Sequence, residues 1–272
     1  MATVRHYHNH YHFFYTTSLK RHFGSLVAVL VILAVVLFLA FRFLTPTKPL
    51  LNLDQISALD LFEATVATFY RLTIAYTIAL VLSIPLALLI TSSQKLEKFL
   101  LPFFDVLQSI PILAFFPIIV LVFLKVNFFD GAAIFILSLS MLWNLVFSMV
   151  GGLKTIPQDI EWVALIFKAT GRKKLIYIML PAIFPYIITG SLLAWAQGWN
   201  IIIVAEVLHN YIPGGKAAQD LLGLGSLLVS ASTSGKNSLF LAAILIMVVL
   251  ITLLNFFVWQ KLLHLAERYK FD

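Results

Sequence analysis

Six stretches of this chain, 25–44, 66–90, 111–126, 131–150, 182–204 and 239–262, are apolar over roughly the length that a lipid bilayer demands of a helix. A hydrocarbon core about 30 Å thick is crossed by about 20 residues of α-helix, and inside it every peptide group must find its partner within the protein. These runs therefore predict an all-α integral membrane protein with about six transmembrane helices. The third run is short unless it begins near Leu101, in which case Pro102 and Pro111 kink it. Composition agrees: 61% of residues are hydrophobic, mean hydropathy is +0.98 and only 11% are charged, against about 25% charged in soluble globular domains. The first run is too long for a signal peptide and lacks a small-residue cleavage site; a membrane anchor unconnected with the rest is its alternative reading.

The cations choose a side. A cytoplasmic N-terminus puts Arg5, Lys20, Arg21, Lys95, Lys98, Lys154, Lys168, Arg172, Lys173 and Lys174, with Lys261, Arg268 and Lys270, on inner segments; Arg42, Lys48, Lys125, Lys216 and Lys236 fall outside. The positive-inside rule then predicts that both termini and the loop after Lys154 are cytoplasmic. Topology accounts for the net charge of +7 without nucleic acid, and the absence of cysteine excludes disulfide and thiol chemistry. Residues 45–62 become an outer connection whose second half is amphipathic enough to lie in the membrane interface. The other long outer segment, 207–236, carries an apolar patch at 221–229 too short to cross; a re-entrant or surface helix and a plain solvated loop both fit it.

The segment 157–185, PQDIEWVALIFKATGRKKLIYIMLPAIFP, interrupts the apolar pattern. Pro157 suits a first helical position, and Asp159 in the first turn complements the helix dipole. Gly171 and the run Arg172-Lys173-Lys174 supply a stop signal with cations. Ile160, Val163, Ala164 and Phe167 follow the i, i+3, i+4, i+7 spacing of one apolar helix face. Trp162, Leu165 and Ile166 are apolar too, so a surface outside the membrane is predicted that a soluble partner would cover.

The same segment resembles a motif of ATP-binding-cassette importer permeases, E-A-A-x3-G-x9-I-x-L-P, which in that family forms a coupling helix docked on the ATPase. Ile178, Leu180 and Pro181 occupy its end and Ala164 its second Ala, whereas Trp162, Val163 and Lys168 stand at the Glu, first Ala and Gly positions; Glu161 and Gly171 lie one and three residues away. The likeness extends to the nitrate, sulfonate and taurine branch through ATFYRLTIAYTIALVLSIPLALL, LQSIPILAFFP, PAIFPYIITGSLLAWAQGWNIIIVAE and NFFVWQKLLHLAER. It implies a type I importer permease, a five-helix core plus an N-terminal helix. The implied organisation is a His-rich cytoplasmic tail at 1–24, a first helix and connection at 25–62, a permease core at 63–268 with a coupling helix at 157–170, and a short tail at 269–272. The implied setting is a bacterial or archaeal inner membrane, with separate ATPase subunits, a second permease copy or a sister permease, and an extracytoplasmic solute-binding protein. A small anion would be the solute. A secondary transporter or channel, or a membrane scaffold, is the alternative.

Polar groups inside spans face the bundle or a water path. Ser140, Asn144 and Ser148 recur every four residues on one run; Thr189, Gln197 and Asn200 lie on one side of another. They are candidates to line a pathway, and equally to hydrogen-bond helix to helix. Arg71, near the outer end of the second run, would either attract an anion or pair with an acid, and Glu206 is a possible partner for it or a gating residue. Asp105 reads as an interfacial acid.

Elsewhere the chain offers no catalysis. His6, His8, His10 and His12 alternate in the tail, where a solvated segment is expected in place of a metal site. Neither Gly215-Lys216 nor Gly235-Lys236 completes a phosphate-binding G-x4-G-K-[ST] loop. ATP hydrolysis is therefore expected in a partner, with no cofactor in this chain.

Overall fold

The computed structural model describes residues 56–125, 128–167, 172–212, 214–215 and 220–269. The first apolar run, the His-rich tail, Lys168 and Gly171 lie outside the described residues. Among the described residues, four helices are long and apolar enough to cross a membrane: α1 (Ala58–Thr91), α4 (Phe129–Lys154), α6 (Leu175–Ala205) and α8 (Asn237–Glu267). Shorter ones stand between them: α2 (Gln94–Ser109), α3 (Phe116–Lys125), α5 (Gln158–Ile166) and α7 (Leu224–Thr233).

Helix α1 begins on a capping box. Ser57 Oγ accepts from the Asp60 amide at 3.3 Å, and the Asp60 carboxylate accepts from the Ser57 amide at 2.8 Å, which satisfies two amides that a helix start leaves open. Residues 58–62 are the first turn and more of α1, because this cap sets its start. Ser93 caps α2 in the same way through the Leu96 amide.

The core is α1, α4 and α6. Helix α1 buries a stripe of mostly small residues, among them Ala64, Ala67, Ala75, Ala79, Ser83 and Ala87, and small residues let membrane helices approach closely. Helix α4 runs parallel to α1, with Arg71 beside Asp130 at one end and Ser83 near Met149 further on. Helix α6 runs antiparallel to both. Gly190 packs on Ser148 and Gly198 on Met141 and Leu72, and a Cβ at Gly198 would overlap Met141. Tyr76 donates to Ser191 at 2.8 Å, and the rings of Phe69, Tyr76 and Trp259 surround Trp195.

Helix α8 is peripheral and shows the solvent or lipid a broad aliphatic face. Its buried residues are Ala243, Met247, Trp259 and Ala266, with Phe240, Ile244, Leu250 and Leu262 partly buried against the core. Two π turns widen the helices: Leu175–Met179 opens α6 and Asn255–Trp259 interrupts α8.

The third run differs from a single kinked helix. Helix α2 ends at Ser109, a 3-10 turn occupies Ile112–Ala114, and α3 starts at Phe116. Pro111 lacks the amide that a helix would need there, so the chain breaks where a bend was expected. Both pieces pack along one neighbour, α4. Glu97 pairs with Lys154 at 2.5 Å, Phe104 packs on Trp143 at 5.4 Å, and Phe123 on Phe135 at 6.0 Å, an order that runs α2 and α3 antiparallel along α4. With 16 and 10 residues, the halves measure about 24 and 15 Å; only together do they match a membrane.

Helix α7 decides between the alternatives left for 207–236. Leu224, Ser226, Leu227, Leu228, Ser230 and Ala231 are buried, so the patch is a helix packed into the protein, against α1, α6 and α8. Burial of Tyr211 against Phe116, at 4.5 Å between rings, seats the preceding turn and pushes its phenol pKa up.

Candidate functional site in the membrane bundle

A groove of about 660 Å³ opens beside the break between α2 and α3. The break forms one wall, with Ile110, Pro111, Ile112 and Leu113; Phe135, Leu139, Ser140 and Trp143 of α4 and Gln197 and Ile201 of α6 form the others. Among the described residues, the amides of Ile112 and Leu113 have no backbone acceptor, a direct result of losing helical pairing at Pro111. Irregular backbone at membrane depth is tolerated where it lines a cavity. Among the described residues, none that lines the groove carries a charge.

Two of the six polar residues picked out on the fourth and fifth runs meet here, Ser140 and Gln197. Ser140 donates to the Leu137 carbonyl at 2.7 Å. Ser148 and the backbone of Asn144 instead press against Gly190, the helix-to-helix position. Thr189 is exposed and donates to the Pro185 carbonyl at 3.1 Å, and Asn200 is exposed. Gln108 and Trp143 also line the groove. Gln108 was hidden because its residue stands in a run read for length alone, and Trp143 because an indole in an apolar run reads as packing.

At one end of the bundle lies an ionic knot. Arg71 Nε donates to Asp130 at 2.7 Å, and its Nη1 donates to Glu206 at 2.8 Å and to the Leu222 carbonyl at 2.9 Å. Thr68 donates to Glu206 at 2.7 Å while accepting from the Leu224 amide at 2.9 Å, and the Gly225 amide donates to the other Glu206 oxygen at 2.8 Å. A Cβ at Gly223 would overlap the Glu206 carboxylate, which is why glycine stands there. The knot ties α1, α4 and α6 to the start of α7. Arg71 and Glu206 do meet, as one reading of the sequence had it; Asp130 was missed, although a lone acid beside Gly131 at the start of a run was the available signal. A second tie holds the same segment, with the Asp220 carboxylate accepting the His209 amide at 2.9 Å. Asp105 is exposed and accepts from Gln108 at 3.0 Å.

At the far end from the knot, α5 projects from the body. Trp162, Val163, Ile166 and Phe167 are 64%, 49%, 76% and 77% exposed, while Ala164 is buried. The apolar face expected from Ile160, Val163, Ala164 and Phe167 is thus divided: Ala164 turns inward, Ile160 is half-buried, and the exposed ridge gains Trp162 and Ile166. Pro157 directly precedes the helix and Asp159 is exposed in its first turn; Glu161 lies on it. Ile178 sits in the π turn and Leu180 and Pro181 follow it, all half-buried.

Residues 79–260 match the family described as the binding-protein-dependent transport system inner membrane component. A nitrate import permease protein from Leptolyngbya laminosa is 32% identical over 195 residues, 72% of this chain and 65% of the relative. A bicarbonate transport system permease protein from Synechococcus elongatus is 32% identical over 154 residues, 57% of this chain and 54% of the relative. A taurine transport system permease protein from Escherichia coli is 24% identical over 148 residues, 54% of this chain and 53% of the relative. The chain thus spans between about half and two thirds of the length of these curated relatives.

Proposed function

This chain belongs to the binding-protein-dependent transport system inner membrane components, and from that premise we propose that it is the membrane subunit of an ATP-driven importer for a small anion. It works beside separate ATPase subunits, a second permease copy or a sister permease, and an extracytoplasmic binding protein that delivers the solute. The observation that carries this reading is the ridge of Trp162, Val163, Ile166 and Phe167. Three large apolar side chains on a nine-residue helix, with Phe167 directly after it, form a patch that a monomeric surface rarely leaves bare.

In this reading α5 is the coupling helix. The positive-inside argument places it in the cytoplasm, with Lys154, Lys173 and Lys174 around it, and places both termini on the same side. Closure of the ATPases pushes on the ridge. The push passes through Ala164 and the π turn Leu175–Met179 into α6, which carries Gln197 along the groove. The anion preference is drawn from the relatives, whose names record nitrate, bicarbonate and taurine.

The test is reconstitution. The chain, co-expressed with a candidate ATPase subunit, is to be purified and placed in liposomes with a candidate binding protein. ATP-dependent uptake of labelled nitrate or bicarbonate is the expected result. A chain that purifies without an ATPase, or uptake that persists without ATP, would overturn the proposal.

A further inference from the structure

We propose that the groove beside the broken span binds a small monovalent oxyanion and holds it by uncharged N–H donors alone. The inference rests on the importer reading and adds to it where the solute sits and which charge is accepted.

Three elements each bring a donor to the groove. Gln108 on α2 gives one amide hydrogen to Asp105 and keeps the other. Trp143 on α4 and Gln197 on α6 line the same space, and among the described residues neither the indole N–H nor the Gln197 amide has a hydrogen-bond partner. An indole nitrogen donates and never accepts, so this corner favours acceptor oxygens over cations. Ser140, whose proton goes to Leu137, adds no donor.

Charge then selects within the anions. Hydrogen bonds from neutral donors to an anion are shorter and stronger than neutral pairs, and three of them offset much of the water a singly charged oxyanion gives up. The cost of desolvation grows steeply with charge in a poorly polar site, and the remaining walls are Ile, Leu, Phe and Pro. A dianion would need a fixed cation here. Among the described residues none lines the groove, and Arg71 is already held by Asp130, Glu206 and Leu222. The site therefore takes the charge −1 and refuses −2.

The chain has no cysteine, so Leu139→Cys, on the groove wall, gives the permease one reporter thiol in the assembled transporter, with an ATPase partner made cysteine-free. Millimolar nitrate or bicarbonate should slow its alkylation several-fold, and sulfate at matched ionic strength should not. Adding Gln108→Leu and Gln197→Leu should raise the half-protecting concentration about tenfold, measured against that variant's own anion-free alkylation rate. Absence of protection, equal protection by sulfate, or full protection in the double variant would each overturn the site. Uptake of the same anions is measured in parallel. Uptake without protection sinks the site and leaves the importer standing; protection without ATP-driven uptake keeps the site and sinks the importer reading.

Discussion

The guanidinium of Arg71 meets the carboxylate of Glu206 at 2.8 Å across 135 residues of sequence, with both side chains buried. The other groups at the Glu206 carboxylate also donate to it: the Thr68 hydroxyl and the Gly225 amide. Removing one member of a buried pair leaves the other charge uncompensated, at about 3–5 kcal/mol. Glu206→Ala should therefore lower the unfolding temperature of the detergent-purified chain sharply. Asp130→Asn, at a quarter-exposed site holding Arg71 by a single bond, should lower it much less. Equal shifts in a thermal unfolding assay would contradict this division of labour.

Gly198 and Gly151 sit on the helices α6 and α4 and make opposite predictions. A side chain at Gly198 has to displace Met141 and Leu72, and overpacking of this kind costs about 1–3 kcal/mol. Nothing lies within 4 Å of a Cβ at Gly151, where alanine should stabilise the helix by about 0.5–1 kcal/mol. Thermal unfolding of Gly198→Val and Gly151→Ala should move in opposite directions.

Val163 stands on the exposed ridge of α5. With an ATPase seated there, Val163→Asp would bury an unpaired carboxylate, and the variant should reach the membrane in normal amount yet fail to retain the ATPase on co-purification. Gln158→Asp adds the same charge in the first turn, where the helix dipole favours it, and should retain the partner. An undiminished yield of ATPase with Val163→Asp would remove α5 as the docking element.

Orientation yields a direct labelling experiment, again helped by the absence of native cysteine. A membrane-impermeant maleimide should reach Lys173→Cys only from the cytoplasmic face and Lys216→Cys only from the outer face. The reverse pattern would turn the molecule over and place α5 away from any cytoplasmic ATPase.

Much of the architecture was legible because the bilayer makes hydropathy a length measurement. The runs at 131–150, 182–204 and 239–262 fall within α4, α6 and α8. Ser140 and Gln197 were legible as polar residues in apolar surroundings, and the structure brings both to one groove. What stayed hidden depends on contacts between distant segments. Pro111 reads equally well as a kink or as a break until the pairing of Phe104 with Trp143 and of Phe123 with Phe135 fixes both halves. Helix α7 was ambiguous because ten residues carry little periodic signal, and its place depends on amides of Leu224 and Gly225 reaching Thr68 and Glu206. On α5 periodicity identifies the apolar stripe but not which member meets the body; Ala164 is buried while Val163 and Phe167 stay exposed.

The π turn at Asn255–Trp259 is, in terms of helical phase, a single-residue insertion. At 100° per residue the twelve steps from Met247 to Trp259 would carry the tryptophan about 120° away from the bundle. Absorbing one residue in the wide turn reduces the offset to about 20°, and the seven steps onward to Ala266 return to the same line. Met247, Trp259 and Ala266 are accordingly all buried on a helix that is otherwise largely exposed. Deleting one residue inside the wide turn would restore ordinary winding without rotating either half, so α8 can lose a residue there and nowhere else along its length at so little cost.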